Sequence, residues 1–301
     1  MTILNIMEKK YESLSIFEFQ ELFPNDESCM RHLDSLKWAD GFICEKCNHT
    51  TYCNGNRAYT RQCTRCRYQS SPTSGTLFHK LKFPLLKAFY IIYYMSTNKK
   101  GITSTELSRK LSLGQKTCWF FRRKVMKAMA SSKNHPMMGS VEVDEMMVGQ
   151  QEQGLKGREK GNKMEVVVGI EKTGKKVSRV YAKVIPNASH EELKIFFQNH
   201  ISPSAQIKTD KWKGYTPLIN NYPLLEQIES GQKGNNFGDM HRVIMMIKAW
   251  LRGVHHSVNH LQEYLDAYTY RYNRNFMKKG IFNNLMLRMV AHKPCPRYMM
   301  Y

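Results

Sequence analysis

The chain has 301 residues, with 46 Lys and Arg against 25 Asp and Glu, so its formal charge is +21 at pH 7. Its length allows two or three domains of roughly 150 residues each, and its charge favours a polyanionic partner, either nucleic acid or an anionic membrane surface. The composition excludes a membrane-spanning protein, because the most apolar run, residues 83–96, contains Lys87 and is shorter than the ~20 residues that a spanning helix needs.

Two cysteine pairs near the N-terminus predict a structural zinc site. Each pair is a Cys-x2-Cys knuckle, and fifteen residues separate Cys44 and Cys47 from Cys63 and Cys66. Zinc takes four ligands tetrahedrally, and two knuckles joined by a short hairpin supply four thiolates. The alternative is a secreted module with two disulfides, but no N-terminal stretch has the order of a signal peptide. The other cysteines are interpreted as reduced thiols of a cytoplasmic protein: Cys29, Cys53, Cys118 and Cys295.

Helical patterns flank these cysteines. Residues 15–37 show helical periodicity with a break at residues 24–26, and residues 83–96 predict a buried helix. Thr103 and Glu106 form a capping-box pattern that opens a short helix, which Leu113-Gly114 ends. A second helix is predicted from Gln115 to about Ala130.

These two helices predict a helix-turn-helix that contacts DNA. Residues 81–130 hold eleven basic side chains and one acidic side chain. On the second helix, the basic residues expected on the outer face are Lys116, Arg122, Arg123, Lys124 and Lys127. The concentration of positive charge favours DNA contact over a helical hairpin that only packs against the rest of the protein.

The pattern changes to strands at Ser140. Three strands are predicted at 141–144, 164–170 and 177–182, then a helix at 190–200, a fourth strand at 205–210, a weaker strand near 224–229, and helices at 240–252 and 258–273. This order is that of a ribonuclease-H-like α/β fold.

Two aspartates in this region form a candidate metal site. Asp144 lies in the first predicted strand and Asp210 at the end of the fourth, and in a ribonuclease-H-like sheet these strands are neighbours. Two adjacent carboxylates repel each other unless a cation lies between them. A hard divalent ion such as Mg²⁺ or Mn²⁺ therefore fits this pair.

The third group of this site is predicted on the helix that begins near residue 240. His241 and Lys248 are seven residues apart and therefore share one helix face. His241 is an acceptable neutral metal ligand, and Asp239 is the nearest alternative carboxylate. A polar residue near a helix start, without a role in metal binding, is the alternative interpretation of His241.

The chain resembles the zinc-ribbon insertion-sequence transposases of the fifteen-ninety-five (ISXO-like) group, which are DDE-type enzymes of prokaryotic mobile elements. The resemblance rests on residues 38–66, VEVDE (141–145), IKTDKWKGY (207–215), and the blocks at 241–258 and 260–276. It implies that Asp144 and Asp210 are catalytic metal ligands, that His241 is the third, and that Lys248 is the basic residue that follows it. His255 and His256 also match a family motif. Met246 departs from the pattern, since many relatives have Asn there.

The resemblance implies a DNA transposase that binds terminal inverted repeats and carries out metal-dependent cleavage and strand transfer with two Mg²⁺ or Mn²⁺ ions. We expect a cytoplasmic, nucleoid-associated protein that acts on terminal-repeat and target DNA as a homodimer or larger assembly. The predicted segments are the N-terminal helix and zinc ribbon (1–80), helix-turn-helix (81–135), catalytic domain (139–256) and basic C-terminal segment (257–301). The alternatives are an inactive, transposase-derived DNA-binding protein and a structure-selective nuclease.

Overall fold

The computed structural model describes residues 13–149, 161–254, 259–296 and 298, except for the side chain of Lys233. In chain order the helices and strands are α1 (Ile16–Leu22), α2 (Asp26–Lys37), β1 (Tyr52–Asn54), β2 (Arg61–Cys63), β3 (Gln69–Ser70), α3 (Leu85–Thr97), α4 (Ser104–Leu111), α5 (Gln115–Met129), β4 (Ser140–Val148), β5 (Met164–Thr173), β6 (Lys176–Ile185), α6 (His190–His200), β7 (Gln206–Thr209), β8 (Leu225–Gln227), α7 (Gly238–Val254), α8 (Leu261–Asn273) and α9 (Gly280–Ala291). Short 3₁₀ helices cover Lys213–Asn220, Gln232–Phe237 and Asn275–Met277.

The chain folds into two compact units. The ribbon unit comprises Met1–Asn98 and Arg274–Tyr301, and the sheet unit comprises Lys99–Asn273. The ribbon unit is therefore formed from two stretches of sequence, one that precedes the sheet unit in the chain and one that follows it. The predicted segments 81–135 and 257–301 each cross a boundary between these units. The division into four segments stays a prediction.

Aromatic side chains form the core of the ribbon unit. Phe19 of α1 lies 5.7 Å from Phe282 of α9, between ring centroids, and Phe23 lies 5.0 Å from Phe89 of α3. Both helices before the ribbon begin at capping boxes, Ser15 with Glu18 and Asn25 with Ser28, so the break predicted near Pro24 is found. The C-terminal helix α9 thus completes the core of the N-terminal helices.

A five-stranded sheet organises the sheet unit, in the order β6-β5-β4-β7-β8. The first three strands pair antiparallel, while β4 pairs parallel with β7, and β7 with β8. Val143 of β4 faces Thr209 of β7 in this register. The prediction that the strands carrying Asp144 and Asp210 are neighbours is therefore confirmed.

The two faces of β4 carry different side chains because successive residues of a strand point to opposite sides. Val141 and Val143 are fully buried in a core that includes Phe196 and Phe197 of α6. Glu142 and Asp144 alternate with these valines and therefore lie on the other face, where α7 contacts β4. Hydrophobic burial on one face fixes which residues the opposite face presents.

Two arginines of α5 correct the prediction for this helix. Arg122 and Arg123 were expected on an outer, DNA-contacting face, but they are 4% and 3% exposed. Arg122 donates to the Tyr264 hydroxyl at 3.0 Å, and Arg123 forms a two-pronged ion pair with Glu263 at 2.6 and 2.7 Å. Since α5 packs against α8 on this side, these arginines hold the helix inside the sheet unit.

The remaining basic residues of α5 lie nearer to solvent. Lys116 is exposed, and Lys124 and Lys127 are half-buried. Helices α4 and α5 pack against each other across a turn in which Ser112 is left-handed, with φ 48°. Thr103 caps α4 by accepting from the Glu106 amide at 3.1 Å, as the capping pattern predicted.

We expect Arg123→Met to destabilise the sheet unit by ~3 kcal/mol, because it leaves Glu263 largely buried without its cation. Lys116→Met is the matched control on the same helix, and a surface change of this kind alters stability by about 0.5 kcal/mol or less. Chemical denaturation followed by tryptophan fluorescence measures both. Equal midpoints for the two variants would show that the buried ion pair does not stabilise the helix packing.

Candidate active site and zinc ribbon

The four predicted zinc ligands meet in the ribbon unit. Their sulfur atoms all lie within 4.8 Å of one another, with Cys44 Sγ 3.5 Å from Cys66 Sγ and Cys47 Sγ 3.6 Å from Cys63 Sγ. Four thiolates at the usual Zn–S distance of about 2.3 Å have sulfurs roughly 3.8 Å apart. The arrangement therefore fits a tetrahedral zinc ion.

The two knuckles repeat the same backbone geometry. Asn48 and Arg67, each following the second cysteine of a pair, are left-handed with φ of 58°. The amide of Asn48 donates to Cys44 O at 2.9 Å, and the amide of Arg67 donates to Cys63 O at 3.0 Å. These bonds close each knuckle so that its two thiols point to one centre.

Residues of α2 hold the ribbon in place. Lys37 bonds Glu45 Oε1 at 2.9 Å and the carbonyl oxygens of Ser71 and Ser74 at 2.8 and 2.6 Å. Trp38 packs against the buried thiols, together with Phe42. Contacts from α2 and from Trp38 at its C-terminus thus hold the ribbon in addition to the cysteine cluster.

The remaining cysteines lie outside this cluster, as predicted. Cys53 is exposed in β1, while Cys29, Cys118 and Cys295 are buried. Cys53 Sγ contacts the carbonyl of Gln62 at 3.7 Å. Because it shares the ribbon without joining the cluster, Cys53 is a natural comparison for the four ligands.

The first two predicted active-site carboxylates lie on the adjacent parallel strands of the sheet unit. Asp144 follows Val143 in β4, and Asp210 follows Thr209 at the end of β7, which places them at corresponding positions. Asp144 Oδ1 accepts from the Glu145 amide at 2.8 Å, and Asp210 Oδ1 accepts from the Trp212 amide at 3.0 Å. These amide bonds orient both carboxylates.

His241 approaches the first carboxylate from the first turn of α7. Its Nε2 lies 3.8 Å from Asp144 Oδ2, and its side chain is 43% exposed. Among the residues described, Asp144, Asp210 and His241 do not close to within 4.8 Å of one another as the four cysteines do. The structure therefore brings the predicted group together as an open cluster of two carboxylates and an imidazole.

Asp239, the alternative third carboxylate, is held in ion pairs. Its oxygens bond Lys172 Nζ at 2.9 Å and Arg242 Nη2 at 2.9 Å. Lys172 of β5 also bonds Glu142 of β4 at 3.0 Å, and these partners keep the pKa of Asp239 below its usual range, the Lys172 hydrogen bond being the largest cause. Lys172 thereby ties the start of α7 to the sheet.

Sequence reasoning missed Glu145 and its partner Tyr215. The buried Tyr215 hydroxyl donates to Glu145 Oε1. Burial raises the pKa of Glu145 to about 7, and the charges of Asp144 and Asp210 add to this effect against the lowering by Tyr215. The charges of both aspartates therefore act on the carboxylate that follows Asp144.

Sequence reasoning also missed Gly234, which lies in the 3₁₀ helix before α7. Its φ is 74°, and a Cβ at this position would overlap the imidazole of His241. The His241 ring therefore rests directly on the Gly234 backbone. A glycine seven residues before the histidine was the available signal, but its significance depends on the loop conformation.

Lys248 lies two helical turns after His241 and is half-buried. Burial lowers the pKa of Lys248, and the nearby positive charges of Arg252 and Lys163 lower it further. A basic cluster of Lys163, Lys248 and Arg252 therefore extends the site along α7. His255 and His256 lie outside the described residues.

The fold and these two sites define a zinc-ribbon α/β protein with an acidic cluster on adjacent strands. Two family models match the chain: a transposase zinc-ribbon domain at residues 24–69, and an ISXO2-like transposase domain at residues 136–273. The chain therefore belongs to the ISXO2-like group of zinc-ribbon DDE transposases, as its motifs predicted. No curated protein matches the chain. Within the described ranges, no helix combines the length and apolar character needed to cross a bilayer.

We expect Cys63→Ser to release zinc and to unfold the ribbon while the sheet unit stays folded, because a structural zinc site needs all four ligands. Zinc content by atomic emission and protection of the two units from protease measure this. Cys53→Ser is the matched control and should keep the metal. Full zinc content in Cys63→Ser would contradict the four-cysteine site.

We expect Gly234→Ala to displace the imidazole of His241. The rate of any reaction that depends on His241 should then fall at least tenfold. Gly174→Ala is the matched control, because Gly174 is also left-handed, at φ 60°, but has no atom within 4 Å of an added Cβ. Both variants carry the same backbone cost of about 1 kcal/mol. Equal activities would mean that the contact with His241 is unimportant.

Proposed function

We propose that this protein is a DNA transposase that binds the terminal inverted repeats of its element and carries out metal-dependent cleavage and strand transfer. The observation that carries the proposal is the parallel pairing of β4 with β7, which sets Asp144 beside Asp210 with His241 3.8 Å from Asp144. Family membership supports the same reaction class.

The sheet unit is proposed to be a ribonuclease-H-like domain. Three antiparallel strands followed by two parallel strands, in the order β6-β5-β4-β7-β8, support this assignment. Helix α6 crosses between β6 and β7, and α7 contacts the opposite face of β4. In this arrangement the acidic residues lie where the middle of β4, the end of β7 and the start of α7 converge.

Asp144, Asp210 and His241 are the proposed ligands for Mg²⁺ or Mn²⁺. Two carboxylates supply the hard oxygen donors that these ions prefer, and their corresponding positions on adjacent strands favour a divalent cation between them. When bound, such ions supply Lewis-acid stabilisation of the phosphoryl oxygens and an activated hydroxyl nucleophile. The protein's own contribution is to hold the ligands on rigid strands and to fix His241 through Gly234.

The proposed reaction has two phosphoryl transfers without a covalent protein intermediate. In the first, water attacks a phosphodiester at the element's end and leaves a free 3′-hydroxyl. In the second, that hydroxyl attacks a phosphodiester of target DNA, forming a new ester while the target's 3′-oxygen departs. Lys248 is proposed to neutralise a phosphate near the reacting atoms, since its half-buried ammonium adjoins the same helix face as His241.

The ribbon and the α4–α5 hairpin are proposed to hold DNA, the hairpin as a helix-turn-helix. Lys116, Lys124 and Lys127 remain the proposed phosphate contacts of α5. Arg122 and Arg123 are excluded because both are buried in protein contacts. Cutting at two element ends favours a dimer or larger assembly on DNA.

A catalytically inactive DNA-binding protein is the second candidate. The observation that favours it is Met246, which is exposed on α7 at a position where many relatives have Asn. Such a protein would keep the ribbon, the basic surface and the fold. It would bind DNA ends without cutting them.

Strand cleavage and joining separate these functions. The substrate is DNA carrying the sequences that flank the coding region, with Mg²⁺ or Mn²⁺, and the parent is compared with Asp210→Ala and His241→Ala. We expect both variants to bind DNA but to lose cleavage by at least a thousandfold, because they remove proposed ligands of the catalytic metal. Glu226→Ala, an exposed carboxylate of the neighbouring strand β8, is the matched control and should retain activity.

Each result has a defined meaning. Joined product in the parent and in Glu226→Ala, but in neither ligand variant, supports the transposase. Binding without cleavage in the parent supports the inactive DNA-binding protein, and cleavage without joining supports a nuclease. Full activity of Asp210→Ala would overturn the proposed active site.

A further inference from the structure

Helix α7 carries an exposed side chain that the proposed chemistry leaves unused. Met245 is 59% exposed, although the same helix buries the apolar residues Met240, Val243, Ile244, Ile247 and Leu251. The buried face already satisfies the packing of α7. Met245 therefore contributes little to the core. Its neighbours on the helix surface indicate what it can contact.

Met245 stands in a straight row with the residues of the candidate active site. His241, Met245, Lys248 and Arg252 are spaced at intervals of four, three and four residues, which places them on one face of a helix. The row spans ~16 Å at 1.5 Å per residue, or about five nucleotide steps of 3.4 Å along one DNA strand. An apolar side chain thus separates the imidazole at the acidic cluster from the basic cluster.

The basic end of this row is suited to a polyanion. Arg252 and Lys163 lie near enough to Lys248 for their charges to act on it. In the ranges 13–149, 161–254 and 259–296, none of these three cations forms a salt bridge with an acidic side chain. Like charges that are held together without an acid attract phosphates.

We propose that this face of α7 is a DNA track on which Met245 packs against the deoxyribose or base edge of the nucleotide next to the reacting phosphate. Lys163, Lys248 and Arg252 bind the following phosphates of the same strand. Methionine is flexible and apolar, and it is among the side chains that proteins place against or between bases. This inference rests on the proposed function and adds to it the residue that positions the strand along α7.

Methionine oxidation tests the track in the unmodified protein. The protein is exposed to hydroxyl radicals with and without a duplex oligonucleotide carrying the DNA that flanks the coding region, and sulfoxide at each methionine is read by tandem mass spectrometry. Met138, which is 64% exposed in the same unit, is the internal control. We expect DNA to slow the oxidation of Met245 roughly fivefold and to leave Met138 unchanged, because oxidation follows exposure.

The possible outcomes separate this inference from the proposed function. If a gel shift shows bound DNA while Met245 and Met138 oxidise as before, the track is overturned and the proposed function stands. If no DNA binds, both fail. Protection of Met245 that depends on protein concentration and not on DNA would identify a contact between protein copies and would also overturn the track.

Substitution provides a second measurement. We expect Met245→Ala to weaken binding of the same duplex about fivefold, because partial burial of one methionine side chain on DNA contributes roughly 1 kcal/mol. Met138→Ala should leave the affinity unchanged, and circular dichroism checks that both variants are folded. Equal affinities of the parent and Met245→Ala would contradict a packing contact with the strand.

Discussion

The register of one parallel strand pair governs the sheet unit and its chemistry. Val143 lies opposite Thr209, and the residue after each of them is an aspartate. The backbone hydrogen bonds between β4 and β7 therefore hold the two aspartates at neighbouring positions. Strand pairing therefore sets up an electrostatic cost that side-chain motion only partly relieves. A divalent cation bound there, as proposed above, would remove that cost.

The surrounding residues serve to hold this arrangement against its own repulsion. Lys172 links Glu142 of β4 to Asp239 of α7, and Gly234 lets the His241 ring approach its backbone closely. These contacts join the sheet, the 3₁₀ helix and α7 at one point. The acidic cluster is thus surrounded by Glu142, Lys172 and Asp239, whose charges are paired with one another. Such paired neighbours are expected to keep the side chains of a functional site in a fixed geometry.

The sequence predicted those parts of the fold that depend on local pattern. Helix α6 was predicted at its observed bounds, and strand adjacency followed from element order. Arg122 and Arg123 show where such reasoning stops, because helical periodicity cannot reveal that Glu263 and Tyr264, about 140 residues away, bury both arginines. Gly234 and Tyr215 escaped notice for the same reason: their importance lies in a loop path and in a hydroxyl that meets Glu145 across the fold.

The composition of the ribbon unit has a consequence for how the protein is made. Its aromatic core needs Phe282 from α9, which leaves the ribosome after the whole sheet unit. During synthesis, part of the apolar surface of α1, α2 and α3 therefore stays uncovered until the whole sheet unit has been translated. A prematurely terminated chain would retain the four cysteines yet lack the helix that completes their supporting core, so full assembly of the ribbon unit is coupled to production of a complete sheet unit.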